Sequence, residues 1–488
     1  MSVFLPNSLQ FTCASWAEKM KADLRLLAAL LRSDFESFAR AAFQVFAPGE
    51  VLDWNWHLEA ICYHLELVRT RKIKRLIIEA PPRSLKSFIA SVAFPAYCLG
   101  RDPRSKIITA SYSLDLAIKL ANDFRALMRS SRYRSLFPGV CGSVKDTETE
   151  FTTAQQGYRY STSSGGTLTG RGADLMILDE PMRSDDASSA AKRSALQDWY
   201  RNTLFTRLNS KKDGAIVLVM QRLHIDDLAG YLRQQGGWTI LSLPAIAVDP
   251  QRILIGEDRW HDRKAGALLH PVREPQHILS DIRETLGSYH FSAQYQQQPV
   301  PIEGELVKWS WFKPFEVLPH GERRIVQSWD VAVKAEEIND YSVCTTWAIV
   351  RDEYYLLDLH RERLTFPDLV KQVISLARKW RTDSLVIEDK ASGSALIQQL
   401  GEGRIVGVPR PIAYTPKLDK VSRLSAESAT IEAGRVHIQA GATWHADLRS
   451  ELAQFPNGRF DDQVDSISQF LLWVRSHRTP SFQLARTR

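Results

Sequence analysis

Apolar and polar positions along the chain change period several times, and the changes outline two different kinds of sheet. Residues 20–47 carry apolar side chains at helical spacing (Leu24, Leu26, Leu27, Leu30 and Leu31), which predicts a helix. From about 73 to 245, short β-runs alternate with helical stretches. The runs are Leu76–Ile78, Ile107–Thr109, Leu175–Leu178, Ala215–Val219 and Thr239–Leu243. This alternation predicts an α/β unit with a mostly parallel sheet. Residues 246–318 are rich in turns and proline and read as a connecting segment. A second pattern then begins with three consecutive strands, Ile325–Val333, Ser342–Val350 and Tyr354–Leu359. Arg351-Asp-Glu forms the turn between the last two. A helix (366–379), a strand (384–388) and further helices follow, which predicts a mixed sheet.

Composition narrows the class. The 488 residues are 44% hydrophobic and 24% charged, enough for sizeable cores and for two to four domains. No apolar run reaches the roughly 18 residues of a membrane span, and no signal peptide is visible at the N-terminus. The five cysteines (Cys13, Cys62, Cys98, Cys141, Cys344) are scattered without metal-ligand spacing and read as reduced core residues. A net charge of +7 mildly favours a polyanionic partner. The C-terminal stretch from Arg475 holds four arginines and no acid, and reads as a basic flexible tail.

Two constellations carry chemistry. The first is Arg75-Leu-Ile-Ile-Glu-Ala-Pro-Pro-Arg-Ser-Leu-Lys-Ser87, a buried strand, a tight loop, then Lys-Ser opening a helix. This is the layout of a nucleotide phosphate loop without its glycines, since Ala80 and Leu85 stand at their positions. Pro82, Arg83, Ser84, Leu85, Lys86 and Ser87 would cradle the phosphates. Lys86 would neutralise the β- and γ-phosphates, Ser87 would hold Mg²⁺, and Arg83 could reach the γ-phosphate within the same subunit. A left-handed backbone at Leu85 costs roughly 1–2 kcal/mol, which predicts a loop that follows a different path there.

The strand Ala173–Leu178 ends in Asp179-Glu180. Asp179 would bind Mg²⁺ through water and Glu180 would act as general base. Gln221, after the strand Ala215–Met220, stands where motors sense the γ-phosphate. Trp54, Trp56 and His57 could stack on an adenine, although aromatics opening a helix more often anchor a core. The loop Gly165–Gly172 could be mobile and present Arg171 to a neighbouring subunit, or could simply connect.

The second constellation is acidic. Asp330 sits within an apolar first strand, where a buried carboxylate is costly unless paired or metal-bound. Asp340 opens the next strand, Glu388 ends Ser384–Glu388, and Asp461, Asp462 and Asp465 open a helix. Carboxylates on a first strand, a later strand and a C-terminal helix form a ribonuclease-H-like set whose members could hold two Mg²⁺ or Mn²⁺ ions. An acidic helix N-terminus alone needs only the helix dipole to explain it. Lys390, Lys420 and Arg423 lie near these segments and could contact phosphate.

The joint order of these motifs resembles the large terminase subunit of tailed bacteriophages. The matching segments are Ala80–Ser87, Gly170–Pro181, Val219–Asp227 and Phe291–Pro299, then Ser328-Trp-Asp330 with Asp340, Ile387–Gly393 and Asp461–Asp465. A phosphate loop built with proline and arginine is a habit of that family, although Leu85 departs from its commoner glycine. The resemblance implies an α/β chain with an N-terminal P-loop (ASCE-type) ATPase domain, its sheet mostly parallel, and a ribonuclease-H-like mixed-sheet nuclease domain. The expected division is a helical segment at 1–45, the ATPase at 46–245, a linker subdomain at 246–318, the nuclease at 319–475 and the tail at 476–488.

It further implies ATP with Mg²⁺ at the first site and two Mg²⁺ or Mn²⁺ ions at the second. ATP hydrolysis would drive double-stranded DNA into a procapsid, and concatemer cutting would begin and end packaging. Of the three helix acids, the family pattern favours Asp461 and Asp462 as ligands. Implied partners are a portal protein, a small terminase subunit and further copies of the chain in a ring, usually a pentamer, with no membrane involved. The implied setting is the host bacterial cytoplasm and, transiently, the portal vertex, not the mature virion. Two other readings stand beside it. One is a helicase-like ATPase with a non-cleaving C-terminal domain, disfavoured because no second motor domain follows. The other is an inactive prophage relic, disfavoured because Lys86, Asp179, Glu180, Asp330, Glu388 and Asp461 are intact.

Overall fold

The computed structural model describes residues 13–140, 142–299, 306–331, 341–458 and 460–477, with the side chains of 13–22 left undescribed. Asp340 and the tail beyond His477 lie outside the described residues. The chain divides into two compact units. The first runs to Gln276 and takes in Ala293–Gln298; the second comprises His277–Ser292 and the chain from Pro299.

The first unit is built on an eight-stranded sheet. Its strands are β1 (Arg75–Glu79), β2 (Lys106–Ser111), β3 (Ser143–Asp146), β4 (Glu150–Thr153), β5 (Tyr158–Ser163), β6 (Leu175–Asp179), β7 (Ala215–Met220) and β8 (Thr239–Ser242). Their order is β3-β4-β5-β2-β6-β7-β1-β8. The six strands from β5 to β8 in that order pair in parallel, and β3 and β4 add an antiparallel edge that the apolar pattern did not reveal. Alternate residues serve opposite faces of the sheet. Leu76 and Ile78, Leu175 and Ile177, and Val217 and Val219 pack into one core. Ile77, Met176 and Leu178, and Ile216 and Leu218 pack into the other. Burial on both faces explains why these strands read as continuous apolar runs.

The N-terminal chain is helical over Cys13–Ser33 and Phe35–Phe46, and Asp34 caps the second helix by accepting from Ser37 N at 2.7 Å. Phe35, Phe38 and Phe43 bury themselves in the first core. The helix expected from the leucine stripe forms, but the stripe itself is mostly unburied. Leu31 is buried, but Leu24, Leu26, Leu27 and Leu30 are exposed, because the buried helix face belongs to the phenylalanines after Asp34. The presumed connector also has structure of its own. A hairpin of β9 (Gln251–Gly256) and β10 (Arg259–Arg263) belongs to the first unit, as do Ala293–Gln298, whereas His277–Ser292 and the chain from Pro299 belong to the second.

The second unit carries a seven-stranded mixed sheet. Its strands are β11 (Lys313–Phe315), β12 (Arg324–Asp330), β13 (Ser342–Val350), β14 (Glu353–Glu362), β15 (Ser384–Glu388), β16 (Pro411–Tyr414) and β17 (Val436–Gln439), in the order β11-β17-β14-β13-β12-β15-β16. β12, β13 and β14 meander antiparallel as expected, while β15 and β16 add in parallel beyond β12. In β12, Val326 faces the core shared with the helix Asp462–Ser476, and Trp329 faces the opposite core. A period of two therefore puts Ser328 and Asp330 on the helix side. Ser328 Oγ donates to Ser466 O and Ser466 Oγ donates to Ser328 O, both at 2.9 Å, which locks the helix to the strand.

Candidate functional sites: a phosphate-loop cavity and an acidic cavity

In the first unit β7 lies between β1 and β6. The loop after β1 and the acids after β6 thus flank the end of β7, where Gln221 sits. The loop Ala80–Ser87 leads into a helix that begins at Lys86 and widens into a π-helical turn over Phe88–Ala93. Arg83 and Leu85 have φ of 61° and 58°. The loop therefore keeps the left-handed backbone at the missing glycine's position, contrary to the different path expected for Leu85.

Several contacts hold that strained geometry. Ser84 Oγ donates to Pro81 O at 2.8 Å, Lys86 Nζ donates to the same carbonyl at 3.1 Å, and Arg273 Nη1 donates to Arg83 O at 2.5 Å. Leu85 itself packs partly against the first core.

The candidate residues meet at a cavity of about 420 Å³, lined by Pro82, Arg83, Lys86, Ser87, Glu180 and Gln221 among others. Lys86 Nζ lies 3.0 Å from Glu180 Oε1. Ser87 Oγ donates to Asp179 Oδ1 at 2.9 Å. Asp179 Oδ2 is buried without a hydrogen-bond partner, and the nearby Ser91 hydroxyl makes no well-formed bond to it. Burial pushes the Asp179 carboxyl up to about 6; Glu180 adds to the rise, while Ser91, Ser87 and Lys86 oppose it. A buried, orphaned carboxylate oxygen beside a hydroxyl is a donor set that fits Mg²⁺. Glu180, at φ 47°, is a third strained residue at this site.

Tyr112 and the exposed Arg183 also line the cavity and were not singled out from the sequence. The signal for Arg183 was its place four residues after Asp179. Also missed was a buried ionic group behind the loop. Glu79 at the end of β1 pairs with Arg233 and lies 3.6 Å from Arg222, which in turn pairs with Asp227 at 3.0 Å. A carboxylate closing an apolar strand was the visible signal, since it demands a partner.

Other candidates are engaged elsewhere. Trp56 stacks on His261 with ring centroids 4.2 Å apart, and Arg40 covers Trp54 at 4.5 Å. His57 is buried against His270. These contacts match the core-anchor reading. Arg171 binds Glu150 through two hydrogen bonds of 2.9 Å and lies over Tyr160, so within this chain it braces its own loop.

The second site is a cavity of about 950 Å³ that gathers Asp330, Glu388, Asp461, Asp462 and Asp465, with Lys420 and Arg423 among them. Asp330 ends β12 instead of lying mid-strand, so its carboxylate reaches the cavity and not a sealed core. Glu388 ends the parallel neighbour β15. Gly393 is required beside it, because a Cβ there would lie 2.0 Å from Glu388 O.

The helix Asp462–Ser476 brings the last acids. Burial raises the Asp330 pKa, and Asp465, Glu388 and Asp462 add to the rise. Asp462 is pushed up to about 6, first by burial and then by Glu451 and Asp461. Burial also raises Asp465, against the pull of Arg423 and Lys420. Among the described residues no cation pairs with Asp330 or Asp462.

Hard oxygen donors that repel one another suit a divalent cation. Yet among the described residues no three such side chains stand close enough to enclose an ion by themselves. Lys390 lines the rim together with Arg363, which the sequence reading missed at the end of β14. Among the described residues no helix is long and apolar enough to cross a membrane.

Comparisons with known proteins agree with this layout. Residues 327–473 match the Terminase RNaseH-like domain family. No curated protein sequence matches the chain. The large terminase of a thermophilic bacteriophage superposes with a TM-score of 0.50 at 11% identity, covering 84% of this chain and 98% of that one. A second structure of that protein, in complex with ATP-γ-S, gives 0.46 at 10% identity over 83% and 97% of the two chains. The large terminase of bacteriophage HK97 gives 0.35 at 9% identity over 88% and 96%. Residues 327–473 of the second unit thus match a terminase RNase H-like family, and most of the chain is similar in fold to the large terminase of a thermophilic bacteriophage.

Proposed function

We propose that this chain is a DNA-packaging motor and nuclease: it hydrolyses ATP to drive double-stranded DNA into a procapsid and cuts concatemeric DNA with a metal-dependent site. The observation that carries the reading is the pairing of two separate sites in one chain. One gathers Lys86, Ser87 and Glu180, with Asp179 behind Ser87, and the other gathers Asp330, Glu388, Asp462 and Asp465.

In the motor site Lys86 exchanges its contact with Glu180 for the β- and γ-phosphates of ATP. Glu180, released, accepts the proton of a water whose oxygen bonds to the γ-phosphorus, while the bond to the ADP oxygen breaks with its electron pair on ADP. Arg83 and Arg183 stabilise the charge on the γ-phosphate, and Gln221 senses it. Ser87 and Asp179 would hold Mg²⁺, which supplies further charge neutralisation. In the nuclease site the acid set would hold Mg²⁺ or Mn²⁺, which supplies Lewis acidity at a phosphodiester. Asp461 stands with this set through Lys420.

DNA contacts go mainly to phosphates and are salt-sensitive, since a packaging motor accepts any sequence. The chain acts as a ring, a pentamer in the family's usual form, docked on a portal protein. A small terminase subunit selects the DNA. Its setting is the host cytoplasm, with transient residence at the portal vertex. The test of the motor half is ATP turnover. Lys86→Ala abolishes it, and Glu180→Gln lowers it by roughly 10²–10⁴-fold while ATP still binds. Unchanged turnover in Lys86→Ala contradicts the reading.

A further inference from the structure

A buried cation lies against the helical turn that follows the phosphate loop. Arg159, on β5, is 2% exposed. An arginine is seldom buried so fully without an acid to pair with, yet among the described residues no carboxylate forms an ion pair with it. Its Nη2 donates to Ser91 O at 3.1 Å and its Nη1 donates to Ser161 Oγ at 2.5 Å. The guanidinium carbon lies 4.9 Å from the centre of the Phe124 ring, and Nε has no partner. Burial pulls the guanidinium down to about 9, and of the two acids that oppose this Asp179 acts more strongly than Asp123.

The sequence of the turn explains why a donor is needed there. The chain is π-helical over Phe88–Ala93, and Phe94 N donates to Ile89 O, five residues back. An α-helix would give Ser91 O the N–H of residue 95. That residue is Pro95, in the first turn of the helix Phe94–Arg101; proline has no N–H, and its ring crowds the carbonyl four residues before it. The wider turn makes room for the ring, and Arg159 supplies a donor to the carbonyl.

The same turn sets the acid of the motor site. Ser87 and Ser91 stand four residues apart, about one turn along the helix. Ser87 Oγ donates to Asp179 Oδ1 at 2.9 Å. The Ser91 hydroxyl lies near the same carboxylate, whose Oδ2 has no partner. The distance between the two hydroxyls is thus fixed by the width of the π-helical turn, and Arg159 grips that turn at Ser91.

We propose that Arg159 is a positioning residue for the metal of the motor site: by holding Ser91 O it keeps the π-helical turn open, and the open turn keeps Ser87 and Ser91 set on the carboxylate of Asp179. The inference rests on the motor reading above. Arg159 touches neither nucleotide nor metal and acts through Ser91. Ser87 and Asp179, the residues that would hold Mg²⁺, are then already in place when a nucleotide arrives. Residues that orient metal ligands in this way commonly change metal affinity by roughly 10–100-fold when removed.

The test measures binding of a fluorescent, non-hydrolysable ATP analogue to the full chain, in EDTA and with increasing Mg²⁺, together with thermal melting. The wild type should bind more tightly with Mg²⁺. Arg159→Met should match it in EDTA but need roughly 10-fold more Mg²⁺ to reach half of the Mg²⁺ effect. Ser91→Ala keeps the carbonyl that Arg159 holds and removes only the hydroxyl, and it too should need more Mg²⁺. Pro95→Ala added to Arg159→Met gives residue 95 an N–H for Ser91 O. It should recover the melting temperature lost in Arg159→Met but not the Mg²⁺ requirement, whereas a role confined to filling the carbonyl would recover both. A wild-type Mg²⁺ requirement in either single variant or in the double variant overturns the inference, as does a wild type that binds the analogue equally well with and without Mg²⁺. If Arg159→Met does not fold, Ser91→Ala decides alone. A wild type that binds no analogue under any condition overturns the motor reading itself.

Discussion

Asp179 shows how a single residue records the ligand its site expects. Its carboxyl is buried, lacks a partner on one oxygen, and is pushed up to about 6. In the unfolded chain an aspartate titrates near ~3.9. The folded protein therefore binds the proton more tightly than the unfolded one between those values. Stability without metal rises as pH falls through about 6 and is lost again as the group ionises at higher pH. The two pKa values differ by roughly 2, which corresponds to about 3 kcal/mol at most. Asp179→Asn should accordingly be the more stable chain at pH 7.5 without metal or nucleotide. Its advantage should shrink as pH is lowered toward 4, as read by urea unfolding of both chains across that range. An advantage that does not change with pH contradicts this account. At the other site burial raises the Asp330 carboxyl too, and three neighbouring acids add to the rise.

At the scale of the element, the phosphate loop is set by its surroundings as much as by its own residues. Two non-glycine residues, Arg83 and Leu85, hold left-handed backbone. Pro81 O, engaged by both Ser84 and Lys86, and Arg83 O, engaged by Arg273, fix the turn between them. Leu85→Gly should then keep ATP turnover, because glycine adopts this backbone without strain. Leu85→Val should lower turnover and destabilise the chain by roughly 1–2 kcal/mol or more, because a β-branched residue tolerates it least. Turnover and thermal melting of the two variants check this, and the reverse order contradicts it. The sequence showed the loop and its lysine but not its path, because Arg273 lies 190 residues away from the carbonyl it holds. Long-range contacts of that kind leave no local pattern. The same holds for the antiparallel edge β3–β4, whose short strands lack a long apolar run.

For the whole molecule, the order of elements was legible because burial imposes period on sequence. Parallel strands covered on both faces gave apolar runs, and Asp179, Glu180 and Glu388 stood out as acids ending such runs. Less was legible where partners decide a role. Asp461, Asp462 and Asp465 look alike in sequence. In the fold, Asp461 and Asp465 are paired to Lys420, whereas Asp462 is not. The cation among the acids was noted only as a neighbour, since nothing local distinguishes it from a solvated lysine. The leucine stripe before Asp34 marked a helix that does form, but not its buried face: helical spacing shows an apolar face and not what covers it.

The two compact units each carry their own cavity. The account therefore requires two activities that can be removed one at a time. The most direct measurement is of ATP turnover and plasmid cutting with Mn²⁺ in the same preparations of wild type, Lys86→Ala and Asp330→Ala. The account predicts that the wild type performs both, that Lys86→Ala cuts plasmid without hydrolysing ATP, and that Asp330→Ala hydrolyses ATP without cutting. Loss of both activities in either correctly folded variant, or a wild type that cuts no DNA, would contradict it.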